Sequence, residues 1–186
     1  MGNREDLLAG ARRCLVEKGY ARTTVRDIST AAGVSMAAIG YHFGTKEALL
    51  TAALAEATRE WGVDLEHALA RLGDAGGDPW ERFAARWDVV LATIATHRGM
   101  WTATFDALAD PDVRTQLAAN LDEARSGLAR LLAGADEGDA DATRGVGALY
   151  QALLTGVAAQ YLIDPDRAPT GRDLAAGLRR ITAPGG

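Results

Sequence analysis

Between residues 24 and 46 the sequence gathers the hydroxyls of Thr24, Ser35 and Tyr41, the guanidinium of Arg26, the imidazole of His42 and the ammonium of Lys46. No Ser-His-Asp or Cys-His arrangement, carboxylate pair or glycine-rich phosphate loop stands out anywhere in the chain. The chemistry these groups suit is the holding of phosphate oxygens, not bond breaking, and an enzyme is not expected. Thr24 and Ser35 stand at the N-termini of helical stretches, where free amides and the helix dipole attract anions. Lys46 falls in the first turn of a helix, where a cation opposes the dipole at a cost of roughly a few tenths of a kcal/mol, and an external phosphate would reverse that sign. His42 could contact phosphate or simply cap or pack.

The elements that must position these groups are short and strongly punctuated. A first helix is expected over 4–18, with Leu7, Leu8, Ala11, Cys14 and Leu15 on one stripe, Gly19 as its C-cap and Tyr20 folded back onto it. Thr24 and Asp27 have the spacing of a capping box. Gly33 stops the second helix after about two turns, and Ser35 is expected to cap the third, at 36–42. Ile39 and Phe43 of that helix can point inward, while Met36, Ala37, Gly40 and Tyr41 face another way. Thr45 should cap a long fourth helix at 46–72. Further helices are expected at 79–97, 100–108, 111–133, 140–163 and 170–182, broken at Arg98-Gly99, Asp110-Pro111, a Gly/Asp stretch at 134–139, and 164–171. GDAGGDP at 73–79 reads as a loop. With no strand pattern, the fold class is all-α: an N-terminal three-helix helix-turn-helix head and a C-terminal helical domain, divided as 1–46 and 47–186.

The block TTVRDISTAAGVSMAAIGYHFGTKEALL at 23–50 resembles the DNA-binding signature of the TetR family of transcriptional regulators. The matching features are Thr24 before Val25, Ile28, the Ala31-Ala32-Gly33-Val34-Ser35 turn, Tyr41-His42-Phe43, Gly44, Lys46-Glu47 and Leu49. The resemblance spans about residues 5–55. It implies that the third helix enters the major groove while the second crosses the backbone, and that Tyr41 and Lys46 contact phosphates. The third helix has no Arg, Lys, Asn or Gln to read base edges. Sequence reading is left to Met36 and Ala37 touching thymine methyls, to Arg26 or neighbouring arms, or to DNA shape. The DNA-binding set is thus Thr24, Arg26, Ser35, Met36, Ala37, Gly40, Tyr41, His42 and Lys46.

The same resemblance implies a small-molecule effector held in the C-terminal domain. Its candidate lining is Trp61, Phe83, Trp87, Trp101, Phe105, Tyr150 and Gln151, a set that favours an apolar or aromatic ligand. For any single one of these residues, plain core packing is the simpler role. The segment 143–163 is apolar on most faces and rich in small residues. With the last helix it looks like half of an isologous four-helix dimer interface, and the resemblance implies the same. The expected interface residues are Ala148, Ala152, Gly156, Ala159, Leu174, Leu178 and Ile181.

Bulk properties fit this picture. Residues 1–50 carry seven Lys/Arg against five Asp/Glu, a net +2, whereas the rest carries 13 against 20, a net −7. A mildly basic head on an acidic body presents one end to a phosphate backbone. The single cysteine, Cys14, excludes an internal disulfide and a multi-cysteine metal site, and His67 and His97 lack ligand spacing; no metal or cofactor is expected. The N-terminus does not resemble a signal peptide and no apolar run is expected to span a bilayer, so a soluble, cytoplasmic chain with no membrane partner is expected. The expected partners are a palindrome-like operator, an effector and a second copy of the chain. The rival expectation is a helical small-molecule or protein interaction module without DNA binding.

Overall fold

The computed structural model describes residues 3–73, 77–136 and 138–183, and those residues form helices without a strand. The helices are α1 (Asn3–Lys18), α2 (Val25–Ala32), α3 (Met36–Phe43), α4 (Lys46–Leu72), α5 (Pro79–Thr96), α6 (Arg98–Ala107), α7 (Pro111–Ala119), α8 (Leu121–Ala133), the single turn α9 (Ala140–Ala142), α10 (Ala148–Ile163) and α11 (Gly171–Thr182). Prolines open α5 and α7, where the missing N–H is no loss. The loop expected at 73–79 and the Gly/Asp stretch at 134–139 lie partly outside the described residues.

Three expectations are corrected. The run 111–133 is two helices, because Asn120 leaves the helical region at φ −99° and ψ 0°. The break expected at Arg98-Gly99 falls instead at His97, and Arg98-Gly99 are helical. Helicity at Gly99 has a packing reason: a Cβ there would sit 2.8 Å from Val16 Cγ1, so α6 lies hard against α1. Third, residues 140–163 do make a helical run long and apolar enough to cross a bilayer by length and composition, because a π-helical stretch at Thr143–Gly147 carries α9 into α10 without interruption. That stretch passes α8 at close range, since a Cβ on Gly147 would lie 2.3 Å from the Arg125 carbonyl oxygen.

The chain folds as two compact units, Met1–Gly62 with His97–Leu117, and Val63–Thr96 with Ala118–Gly186. The first unit is larger than the 1–46 head because the head's core continues into α4 and α6: Leu49, Leu50 and Ala53 are fully buried along with Leu7, Ala11 and Ile28. Tyr20 is buried and donates its hydroxyl to Asp110 (3.2 Å), whose other oxygen caps α7. In the second unit α11 packs along α5. There Gly171 lies so close that a Cβ would fall 2.0 Å from the Ala84 carbonyl oxygen, and its amide donates to Asp88 (2.8 Å).

Candidate nucleic-acid interface

The first unit holds the motif in place through local bonds. Thr24 and Asp27 form the full capping box: the Asp27 amide donates to the Thr24 hydroxyl (3.2 Å) and the Thr24 amide to Asp27 Oδ2 (2.9 Å). Lys18 pairs with the same carboxylate, and with Thr24 it holds the Asp27 carboxyl well below the usual carboxylate range. The N-terminus of α2 is therefore already served by its own carboxylate, and the Thr24 hydroxyl is engaged within the box. Gly33 takes the left-handed conformation (φ 66°) that the turn demands. The Ser29 hydroxyl, donating to the Val34 carbonyl (2.5 Å), closes the turn. Gly10 lets α1 approach α2, because a Cβ there would be 2.9 Å from both the backbone and the side chain of Ala32.

The N-terminus of α3 differs. Ser35 has the extended backbone of an N-cap, but its side chain makes no capping bond, which corrects the expected cap. The first turn of α3 is closed by the backbone alone, Ala38 N–H to Ser35 C=O (3.0 Å), leaving the hydroxyl exposed. Ile39 is buried against the head, so the opposite side of α3 faces outward. Met36 is 56% exposed and Tyr41 86%, with Ala37 and Gly40 exposed between them. His42 is half-buried, its ring edge-on to Tyr41 at 4.9 Å. The structure thus brings Ser35, Met36, Ala37, Gly40 and Tyr41 to one outward surface.

Lys46 has internal work that spacing did not reveal. Its ammonium donates to the Thr23 carbonyl (3.2 Å) and pairs with Glu47 (3.3 Å). The lysine thereby ties α4 to the residue before the α2 cap, which offsets the dipole cost of its position. Thr23 itself was not singled out from sequence. It is 1% exposed, donates to Gly19 (2.7 Å) and Cys14 (3.3 Å) carbonyls, and joins the end of α1 to the start of α2. The signal was present as a second threonine before the cap. Arg26 is exposed on α2 and has no salt bridge or hydrogen bond among the described residues. Arg4 lies over the Phe43 ring, 5.2 Å from its centre.

Six of the seven effector-lining candidates fall into two aromatic groups, and Gln151 stands outside both. In the first unit Trp61 meets Trp101 edge-on at 5.2 Å, and Trp101 neighbours Phe105 at 6.3 Å. In the second, Phe83, Trp87 and Tyr150 lie 6.1–6.4 Å from one another. The indole N–H groups of Trp61, Trp87 and Trp101 are buried and meet no acceptor among the described residues. Burial raises the Tyr150 hydroxyl above its ordinary pKa, and the Arg86 guanidinium partly opposes that. Gln151 donates to Thr155 on its own helix (3.3 Å). A groove of about 550 Å³ between α5 and α11, lined by Trp80, Asp88, Arg172 and Arg179 among others, includes none of the seven.

Of the interface candidates, Ala152 and Ile181 are exposed, Ala148, Gly156, Ala159, Leu174 and Leu178 are half-buried, and none is in the core. Two exposed apolar residues on the same side of α10, Leu149 (51%) and Ile163 (83%), escaped the sequence reading. Their i, i+3, i+7 relation to Ala152 and Gly156 was the available signal.

Residues 7–53 match the family described as bacterial regulatory proteins, tetR family. The chain is 35% identical over 132 residues to the HTH-type transcriptional repressor AcnR of Corynebacterium efficiens, covering 67% of this chain and 69% of that protein. It is 37% identical over 83 residues to the HTH-type transcriptional regulator BetI of Stenotrophomonas maltophilia, covering 44% and 40%. In fold it is similar to the multidrug binding protein EbrR crystallised with imidazole, with a TM-score of 0.69 at 21% identity over 100% of this chain and 97% of that one. It is also similar to SmeT in complex with triclosan, with a TM-score of 0.60 at 24% identity over 96% and 90%. The all-helical fold, the capped α2–turn–α3 unit with its outward α3 face, and the AcnR likeness together mean that the chain belongs to the TetR family of helix-turn-helix, DNA-binding transcriptional regulators.

Proposed function

We propose that the chain is a cytoplasmic homodimeric repressor that holds a palindrome-like operator through α3 and is released by a small apolar or aromatic effector. The observation that carries the DNA half of this reading is the α3 surface. Met36 and Tyr41 are large side chains left mostly in water, and the edge-on contact of Tyr41 with the neighbouring His42 ring does not bury it. Tyr41 presents its hydroxyl to a phosphate. Lys46, with three ammonium protons and two protein partners, keeps one for a second phosphate. Repression rests on the AcnR relatives, which are named repressors.

The dimer half rests on the outward side of α10 and α11. Leu149 and Ile163 stand in solvent on the side of α10 that carries Ala152 and Gly156, Ile181 is exposed on α11, and a Cβ on Gly156 or Gly177 would meet nothing within 4 Å. Intramolecular packing has no use for those glycines, whereas a second helix approaching closely does. Two copies would then set their α3 helices to half-sites about 34–36 Å apart. The effector half rests on the orphan indole donors. Leaving such a donor unsatisfied costs about 1–3 kcal/mol, which a ligand with acceptor atoms would recover. The structural likeness to SmeT, crystallised with triclosan, makes aromatic compounds the first to try.

The test is binding to DNA from upstream of the chain's own gene, at two salt concentrations, beside a Tyr41→Ala, Lys46→Ala double variant. Wild-type binding that weakens with salt, and a variant weaker on the order of a hundredfold, is the expected result. Equal binding by the two proteins sinks the assignment of these residues. Equal operator affinity with and without every effector that quenches tryptophan fluorescence sinks the release mechanism.

A further inference from the structure

The outward face of α3 poses a question that operator binding alone does not answer: how it tells one base pair from another. Base discrimination in the major groove rests on hydrogen bonds to base edges or on apolar contact with the thymine 5-methyl group. In a helix-turn-helix the first residues of the recognition helix approach the bases. Here those residues are Met36 and Ala37, both exposed, and neither side chain carries a donor or more than the weak thioether acceptor. Ser35, whose hydroxyl is uncommitted, can bond either way and discriminates little. Arg26 is exposed on α2, the helix that in this motif crosses the phosphate backbone.

Gly40 adds an independent observation. It sits inside α3 one turn after Met36, in ordinary helical geometry, and a Cβ built on it would meet nothing within 4 Å. Glycine at an exposed helix position is less favourable than alanine. Nothing inside the protein repays that cost. A bare backbone on the outward face does serve a surface that must come close to it, and the groove is that surface.

We propose that α3 reads thymine 5-methyl groups through Met36 and Ala37, brought to contact depth by the bare backbone at Gly40, so that the operator is specified by thymines and not by hydrogen-bonded base edges. This rests on the operator-binding reading above. Methionine's flexible thioether suits it to a methyl whose position shifts with local DNA shape.

The experiment is a selection from a random duplex library run twice with the full-length protein, once in thymine DNA and once in DNA made with deoxyuridine, which lacks only the methyl. From the thymine library the protein should enrich a two-fold motif with thymines at adjacent positions in each half-site. From the deoxyuridine library that preference should vanish. Placing deoxyuridine in the recovered site should weaken binding about fourfold per methyl, and about fifteenfold when one position is changed in both half-sites. Met36→Ala should lose its sensitivity to deoxyuridine at one of the positions. Gly40→Ala separates the structural from the recognition role. It should raise Tm by about 2–4 °C while weakening the operator complex about tenfold, whereas a merely structural glycine would not give opposite signs. Tight binding with the same motif from both libraries overturns the proposal and leaves operator binding intact, as does a guanine-fixed motif lost in Arg26→Ala. Undiminished affinity in Gly40→Ala removes the depth argument. If neither library yields a motif and no salt-dependent binding exists, operator binding itself fails and the proposal falls with it.

Discussion

Helices α2 and α11 start with the same device. In each, a threonine hydroxyl accepts from the aspartate amide three residues on at 3.2 Å, and the threonine amide donates to that carboxylate at 2.9 Å. Beyond the cap they diverge. Helix α2 is held on several sides, by the Lys18 ion pair, by Arg13 donating to the Ala31 carbonyl and by Gly10 against Ala32. Helix α11 is held on one side only, with Gly171 and Ala175 against α5 while Ile181 remains in solvent, as Ile163 does at the end of α10. Local chemistry alike in both places begins a helix. What the helix is for depends on which faces are left without a partner. The head leaves one face of α3 in water, and the second unit leaves exposed apolar residues on α10; the proposed partners are DNA for the first and a second copy of the chain for the other.

The sharpest way to break this comparison is to charge the uncovered side of α10. Leu149→Glu with Ile163→Glu should raise the dimer dissociation constant by more than about a hundredfold, because two unpaired charges would be buried at the interface. Sedimentation equilibrium reads this directly, and a wild type that is monomeric at micromolar concentration would remove the interface. Next in size is the covered side. Gly171→Ala pushes a methyl into the Ala84 carbonyl and should cost about 3 kcal/mol, a Tm drop of ~10 °C. Gly156→Ala, with open space around it in the single chain, should stabilise the monomer by about 1 kcal/mol, as alanine does at an unobstructed helical glycine, and weaken only the dimer.

Smaller effects compare the two caps. Thr24→Ala and Thr170→Ala should each lose about 1 kcal/mol, seen as a Tm decrease of about 2–4 °C. A loss confined to one of them would show that tertiary packing, not the cap, sets that helix start. The smallest effect is in acid. Both aspartates titrate below their ordinary value of 3.8, Asp27 through Lys18 and then Thr24, Asp173 through Thr170. A depressed carboxylate stabilises the fold above its unfolded pKa, and that contribution is lost as pH falls through the folded one. The stability gap between wild type and Asp173→Ala should therefore close soon below pH 3.8, whereas the gap for Asp27→Ala should persist to lower pH because of Lys18. Asp173 is exposed and the half-buried Asp27 pairs with an exposed lysine, so the difference should shrink in high salt. Melting curves across the acid range decide the order, and Asp173 outlasting Asp27 would contradict it.

The motif was legible in the chain because it is built from short-range rules. Thr24 with Asp27, Gly33 in a left-handed turn, Gly44 and Thr45 act over three or four residues, and each has a recognisable local code. The bounds of α4 were legible for the same reason, from Thr45 to the glycine after Leu72. Even inside the motif the code misled at Ser35, a residue type that caps helices but leaves α3 uncapped. Only the backbone and side-chain torsions decide that.

By itself, then, the sequence determined an all-helical chain, the two short helices with their turn, the outward chemistry of α3 and the family, since period and caps depend on neighbours a few residues away. Tertiary structure alone decided the rest: that α6 closes on α1 through Gly99 and Val16, that Tyr20 reaches Asp110, that Lys46 holds the Thr23 carbonyl, and that the aromatic residues divide into two groups. The first three of these join positions 23 to 90 residues apart, and each aromatic group is closed by a pair 40 or more apart. No local pattern encodes which of many apolar or polar side chains at such a distance will meet. That choice is made when the whole core is packed at once and the unsatisfied groups are counted together.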